Sequence, residues 1–238
     1  MCRFLGIFSK YAVTYRHYLS DVPQSLSFLS REHPHGWGLA VFGKLGWEIE
    51  KAAACAETDE RFHDIARDLS GTSMIGHIRQ RTVGPLCVNN THPFMRDGWL
   101  FCHNGTIKDL EWLRSQCSAR RLRECIGDTD SEVLFSYLLT RLDGQLAHPD
   151  ERFEQTLHRA CLDMTDRGEA FGACNFLLSN GDVCFAHRFG RSLFVLEGDS
   201  IIVASEKMLE ANWRSVDEKT LLRVDRSPVP VLRRISLS

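Results

Sequence analysis

Four stretches of this 238-residue chain carry residue types able to do chemistry. They are Cys2 in MCRFLGIFSK, Arg79 in GHIRQRTVG, Asn104 and Gly105 in FCHNG, and Asp130 in GDTDSE. Removal of Met1 leaves Cys2 with a thiol and a free α-amine on one residue. The amine titrates at roughly 7.7–8.0 and the thiol at about 8.5, close enough for proton exchange. Nucleophile and general base then come as one unit: the thiolate attacks an acyl carbon and the ammonium returns its proton to the leaving group. The competing reading is that Cys2 is a small apolar residue opening a buried strand.

An attacked amide needs hydrogen-bond donors aimed at the developing oxyanion. Asn104 offers a side-chain NH2, and Gly105 a backbone N–H with no side chain to block approach. Asn-Gly is equally the strongest short signal for a hairpin turn. Arg79 stands near the end of an apolar strand pattern, where its planar guanidinium suits a bidentate carboxylate or a buried salt bridge. In GDTDSE, Thr129 or Asp130 can cap a helix with Glu132 in the first turn. Asp130 is also a partner for a ligand ammonium group. His33 and His35 could suggest a metal site, but a polar loop accounts for them, and no metal is expected.

The elements that must position these residues read as α+β. CRFLGIFS suits a short buried strand. DVPQSLSFLSRE has the form of a helix, with Asp21 as cap and Pro23 in the first turn. GWGLAVFG and WEIEKAAA pair around the GKLG turn. TDERFHDIARDL spaces Phe62, Ile65 and Leu69 at helical intervals. SMIGHIRQ is a strand, RTVGPLCVNNTHPFMRDG a long turn-rich connection, and WLFCHNG a strand ending in Asn-Gly. IKDLEWLRSQ, DTDSEVLFSYLLTRL and ERFEQTLHRACLDM are expected helices. ACNFLLS, DVCFAHRF, SLFVLEG, SIIVASE, TLLRVD and VPVLRRIS are expected strands. With no linker, repeat or low-complexity segment, residues 1–238 read as a single domain.

Composition narrows the function classes. The net charge of -2, with both signs scattered, supplies no field for nucleic acid or an anionic membrane. No apolar run approaches the roughly 20 residues of a membrane span, and the N-terminus lacks a signal-peptide pattern. None of the nine cysteines falls in a C-x-x-C pair, which argues against zinc and thioredoxin-type chemistry. A reducing cytoplasm with mostly inert thiols is the expected setting.

Taken together, MC, HGWG, GHIRQRTVG, NTHPF, HNG and GDTDSE, in that order, resemble the class II glutamine amidotransferases, which have the fold of N-terminal-nucleophile hydrolases. The likeness is nearest to the stand-alone, YafJ-like and γ-glutamyl amidohydrolase subgroup, and ACNFLLSNGDVCFAHR and VASEKM extend it over nearly the whole chain. It implies a four-layer αββα sandwich of two antiparallel sheets between helices. It implies Cys2 as nucleophile with its own amine as base, and Asn104 with Gly105 as oxyanion hole. Arg79, with Thr82 nearby, would hold a substrate α-carboxylate and Asp130 its α-ammonium. His103, which opens HNG, joins the substrate-binding group. No cofactor is implied.

The chain departs from the pattern in places. Gln80-Arg81-Thr82-Val83 stands where synthetase-linked members carry Trp-Ala-Thr-His, and His35 stands where smaller members carry Asp before GWG. Arg81 either favours a larger or acidic γ-glutamyl substrate or points into solvent. The side chain of Arg3 is expected to point away from the face used by its neighbours. Three activities are open: hydrolysis of glutamine or a γ-glutamyl amide, delivery of ammonia to a separately encoded synthetase partner, or a non-catalytic role that retains Met1.

Overall fold

In the computed structural model, which describes residues 2–236, strands buried on both faces build the cores of two antiparallel sheets. The strands are β1 (Arg3–Thr14), β2 (Trp37–Gly43), β3 (Gly46–Ala52), β4 (Ser70–Ile78), β5 (Phe94–Arg96) and β6 (Trp99–Ile107). They continue as β7 (Gly172–Ser179), β8 (Val183–Arg188), β9 (Phe194–Glu197), β10 (Ser200–Ala204), β11 (Arg214–Ser215), β12 (Thr220–Asp225) and β13 (Val231–Ser236). One sheet has the order β11-β9-β10-β1-β4-β2-β3, the other β13-β12-β8-β7-β6-β5. The helices are α1 (Leu26–Leu29), α2 (Glu60–Asp68), α3 (Leu110–Ser115), α4 (Ala119–Arg123), α5 (Asp130–Leu142) and α6 (Glu151–Thr165).

Side-chain alternation assigns the layers. Phe4 and Phe8 of β1 pack with Ile75 of β4 and with Leu100, Cys102 and Leu177 of the other sheet, so this face of β1 lies between the sheets. Leu5 and Ile7 face outward onto Leu19, Leu26 and Phe62, the layer of α1 and α2. Phe101, Phe176 and Leu178 face outward onto Leu134, Leu138, Leu157 and Met164 of α5 and α6. The four-layer αββα sandwich is therefore the observed architecture. Helix α5 is buried along almost its whole length, from Asp130 to Leu139, and its sequence is accordingly apolar on most sides.

Local details differ from the sequence reading for identifiable reasons. β1 runs 12 residues rather than a short stretch, because it is paired on both edges, by β4 and β10. The segment expected as one helix from Asp21 is a π-type turn at His17–Asp21 followed by the short α1. The cap is Ser25, whose hydroxyl accepts from the Phe28 N–H, and Val22 takes extended backbone between the two. Asn104-Gly105 is not a hairpin turn: β6 continues through both residues to Ile107, in unbroken register with β7.

Candidate active site

The polar groups gather where the inter-sheet layer opens at the tips of β1, β4 and β6. Cys2 precedes β1 on the face shared by Phe4 and Phe8, and its Sγ–H donates to the Gln80 carbonyl at 3.6 Å. His77 on β4 and Arg79 just beyond its end alternate in step with Ile75, so both follow the inter-sheet core outward. His77 reaches across the sheets, its Nε2 3.2 Å from the His103 carbonyl oxygen. On β6, Asn104 continues the face of Leu100 and Cys102.

Burial pushes the Cys2 thiol up from its ordinary value, against the lowering pull of a backbone hydrogen bond at Gln80 and of the Arg79 charge. The resting sulfur is therefore a thiol, and attack requires a base at the moment of reaction. Met1, whose removal would expose the α-amine, lies outside the described residues. Arg3 turns away as expected, pairing with Glu206 at 2.8 Å and donating to the Cys2 carbonyl at 3.1 Å. It thereby anchors the chain end that carries the thiol.

Asn104 is buried, and its Oδ1 has no hydrogen-bond partner among the described residues. The next residue has to be glycine: a Cβ at Gly105 would stand 2.0 Å from the Ala173 carbonyl oxygen and 2.6 Å from His103 Nε2. N–H groups alternate between the two edges of a strand. Lys108 N–H bonds to Phe171 on the β7 side, and Ile107 N–H bonds to Asp130 Oδ2 at 2.7 Å on the other. The Gly105 N–H therefore emerges on the Asp130 edge, beside the Asn104 side chain.

The cap of α5 is Thr129, whose Oγ1 accepts from the Glu132 N–H at 3.3 Å, which leaves Asp130 free of that duty. Asp130 is buried, accepts from Ile107 and Ser131 N–H groups, and has no cationic partner among the described residues. Arg79 is its mirror image. Buried, it donates to the Val83 and Pro85 carbonyls at 2.9 and 3.2 Å, and no carboxylate pairs with it among the described residues. The structural salt bridge that its sequence position allowed is absent among those residues. Each buried charge lacks its counter-charge. An amino-acid zwitterion supplies both.

The structure does not bring every expected residue to that group. His103 is buried with Nδ1 2.9 Å from Ser131 Oγ and Nε2 3.2 Å from the Ala173 carbonyl oxygen. Both ring nitrogens are thereby occupied, tying β6 to α5 and β7, and burial lowers the pKa of the ring against the raising pull of Asp130. Thr82 is exposed on the loop that wraps Arg79, and Arg81 is exposed beside it with its N–H on His35 Nδ1. Two positioning residues went unassigned in the sequence. Asn90 accepts from the Asp128 N–H at 2.8 Å and donates to the Pro85 carbonyl at 3.1 Å, joining the Arg79 loop to the Asp130 turn. Glu132 pairs with Arg96 at 3.2 Å and holds the Ile126 and Gly127 N–H groups, fixing the turn before Asp130. NTHPF and GDTDSE contained both, but nothing in either motif revealed a clamp. No cluster of metal-ligating side chains occurs among the described residues.

Two stacked antiparallel sheets between helical layers, with the polar group at their open edge, define the glutamine-amidotransferase domain fold of the N-terminal-nucleophile hydrolases. The chain belongs to the class II glutamine amidotransferases, whose family model matches residues 1–200. A Haemophilus influenzae glutamine amidotransferase relative is 31% identical over 160 residues, covering 65% of this chain and 52% of that protein. The chain thus spans about half the length of that curated relative. The γ-glutamyl-hercynylcysteine sulfoxide hydrolase of Mycobacterium tuberculosis is 27% identical over 241 residues, 96% of this chain and 95% of that protein. In fold, the chain matches the glutamine phosphoribosylpyrophosphate amidotransferase of B. subtilis with a TM-score of 0.70 at 18% identity, over 99% of this chain and 49% of that one.

Proposed function

We propose that the protein hydrolyses the γ-amide of glutamine or of a γ-glutamyl amide through a thioester on Cys2. The observation that carries this reading is the pair of buried, opposite, unpaired charges at Arg79 and Asp130 beside the thiol. Arg79 takes the α-carboxylate of the substrate and Asp130 its α-ammonium, presenting the γ-carbonyl to Sγ. The loop that bears Thr82 closes the carboxylate end. After loss of Met1, the Cys2 α-amine takes the thiol proton as the S–C bond forms. The oxyanion develops against Asn104 Nδ2 and the Gly105 N–H. Collapse breaks the C–N bond, and the ammonium gives its proton to the departing amine. Water, deprotonated by the same amine, then cleaves the thioester to give glutamate and free Cys2.

The test is direct. Protein with an N-terminus confirmed by intact mass is incubated with glutamine and a panel of γ-glutamyl amides, and released glutamate is measured. Turnover that depends on Cys2 supports the reading; equal turnover in Cys2→Ala overturns it. The nine free cysteines fit a reducing compartment, and we place the reaction in the cytoplasm. No helix among the described residues is long and apolar enough to cross a membrane. A second reading, ammonia supply to a separate synthetase, is favoured by the B. subtilis match, where the fold occupies about half of a larger chain. Co-purification of a partner that raises glutaminase activity would select it.

A further inference from the structure

A cavity of about 500 Å³ lies on the β7 side of β6, lined among others by Thr106, Lys108, Ala173, Arg191, Glu218 and Lys219. Thr106 and Ala173 are cross-strand partners on the face that carries Asn104 and Asn175, so the cavity borders that face two residues beyond Asn104. Asp130 meets β6 from the opposite edge. Asn104 and Gly105 therefore stand between the zwitterion receptor and this cavity. A γ-glutamyl group held by Arg79 and Asp130, with its carbonyl at Asn104 and Gly105, directs whatever is attached through the scissile nitrogen toward it.

The wall that carries Arg191 is tied to both sheets of the site. Asn175, directly across from Asn104, accepts from the Phe189 N–H at 2.8 Å and donates to the Arg191 and Ser192 carbonyls at 3.1 and 3.0 Å. Ser192 Oγ donates to the Ser205 carbonyl at 2.9 Å, and Ser205 exchanges hydrogen bonds with Phe4, two residues from Cys2. This built turn presents a guanidinium whose Nε is buried and has no hydrogen-bond partner among the described residues. Neither Arg191 nor Lys219 forms an ion pair among those residues, and Lys108 Nζ rests on the Glu169 backbone carbonyl. Of the two carboxylates at the rim, Glu218 is already held by Arg188 and the Gly190 N–H, leaving Glu169 against three cations.

We infer that this cavity is the leaving-group subsite, and that Arg191 selects γ-glutamyl amides whose amine portion bears a carboxylate. The inference rests on the γ-glutamyl hydrolase reading and extends it from the bond cleaved to the substrate class. Ammonia leaves such a cavity unused; an amino acid or short peptide joined through its α-nitrogen fills it and brings a carboxylate to the unpaired guanidinium.

The experiment compares γ-glutamyl-alanine with γ-glutamyl-alaninamide, which differ only in that carboxylate, with glutamine as a third substrate. In the unaltered protein, kcat/KM is expected to favour γ-glutamyl-alanine by about 10- to 100-fold, the range of a charge-assisted hydrogen bond. Arg191→Gln should collapse that ratio toward one, and Arg191→Lys should retain part of it. The ratio carries its own reference, so a general loss of activity in a variant does not imitate the effect. Equal cleavage of the two conjugates by the unaltered protein, or an intact ratio in a folded Arg191→Gln, overturns the subsite alone. Failure to cleave all three compounds overturns the hydrolase reading and the subsite with it.

Discussion

The two ends of the inter-sheet layer are built by the same strands and do opposite things. At the closed end Phe4, Phe8, Leu100, Cys102 and Leu177 form a dry core. A residue or two further along β1, β4 and β6 the same faces present Cys2, His77, Arg79 and Asn104. Strand alternation does not change between the ends; only residue type does. The comparison teaches that the proposed catalytic group borrows its rigidity from the core, while its charges lie where the sheets part. The two ends should therefore fail differently when altered.

The largest expected effect is at the open end. Cys2→Ala should lower glutamate release by roughly 10⁵–10⁶, the scale of losing a covalent nucleophile. Its melting temperature should match that of the unaltered protein, because Cys2 is half-buried and outside the apolar cluster. A large drop in melting temperature would show that the tip is part of the core after all. Phe8→Ala attacks the closed end. Phe8 is 1% exposed, and its removal should cost about 3–5 kcal/mol in a urea titration. Activity per folded molecule at low temperature is the companion measurement, and it should hold if the ends are separable. Asn104→Ala should reduce kcat by about 10²–10³, close to 2.7–4 kcal/mol of transition-state stabilisation. An effect confined to KM would remove Asn104 from the oxyanion site.

The sequence made the two ends unequally legible. The continuous apolar runs in FLGIF and NFLL marked the core strands directly, and the ordered motifs singled out Cys2, Asn104, Gly105 and Asp130. Locally, HNG pointed as readily to a turn as to a strand, since the pairing with β7 that keeps it extended comes from residues about 70 positions away. Thr129 and Asp130 were interchangeable as caps until the Ile107 N–H claimed the aspartate. The role of Asn90 was invisible for the same reason: its two partners, at positions 85 and 128, meet only in the folded chain. His103 shows the converse: it belongs to the HNG motif, yet its ring nitrogens are taken by Ser131 and the Ala173 carbonyl. Local pattern carries residue type and periodicity, whereas the clamps depend on contacts far apart in the chain.

Acid sharpens the comparison, because burial holds several histidines, His77 at the open end among them, in the neutral form. Burial lowers His33 and His187 to about 4 and His77 to about 3. His92 and His103 are lowered by the same cause. A histidine whose folded pKa is depressed binds its proton more readily in the unfolded chain. Its contribution to stability is complete above the unfolded value of about 6.5 and is lost as pH falls toward the folded value. With at least three extra protons taken up on unfolding, stability should fall by about 4 kcal/mol per pH unit in the middle of that window. Urea midpoints measured at pH 7, 6 and 5 should therefore drop steeply, before the carboxylates titrate. His92 isolates the cause: its ring centroid lies 4.2 Å from that of His77 and 4.5 Å from that of Phe94, both tilted, and both nitrogens lack partners among the described residues. His92→Phe keeps the ring and removes the proton, so it should flatten the acid slope by about one proton's share. An unchanged slope in that variant would move the acid sensitivity away from the open end of the layer.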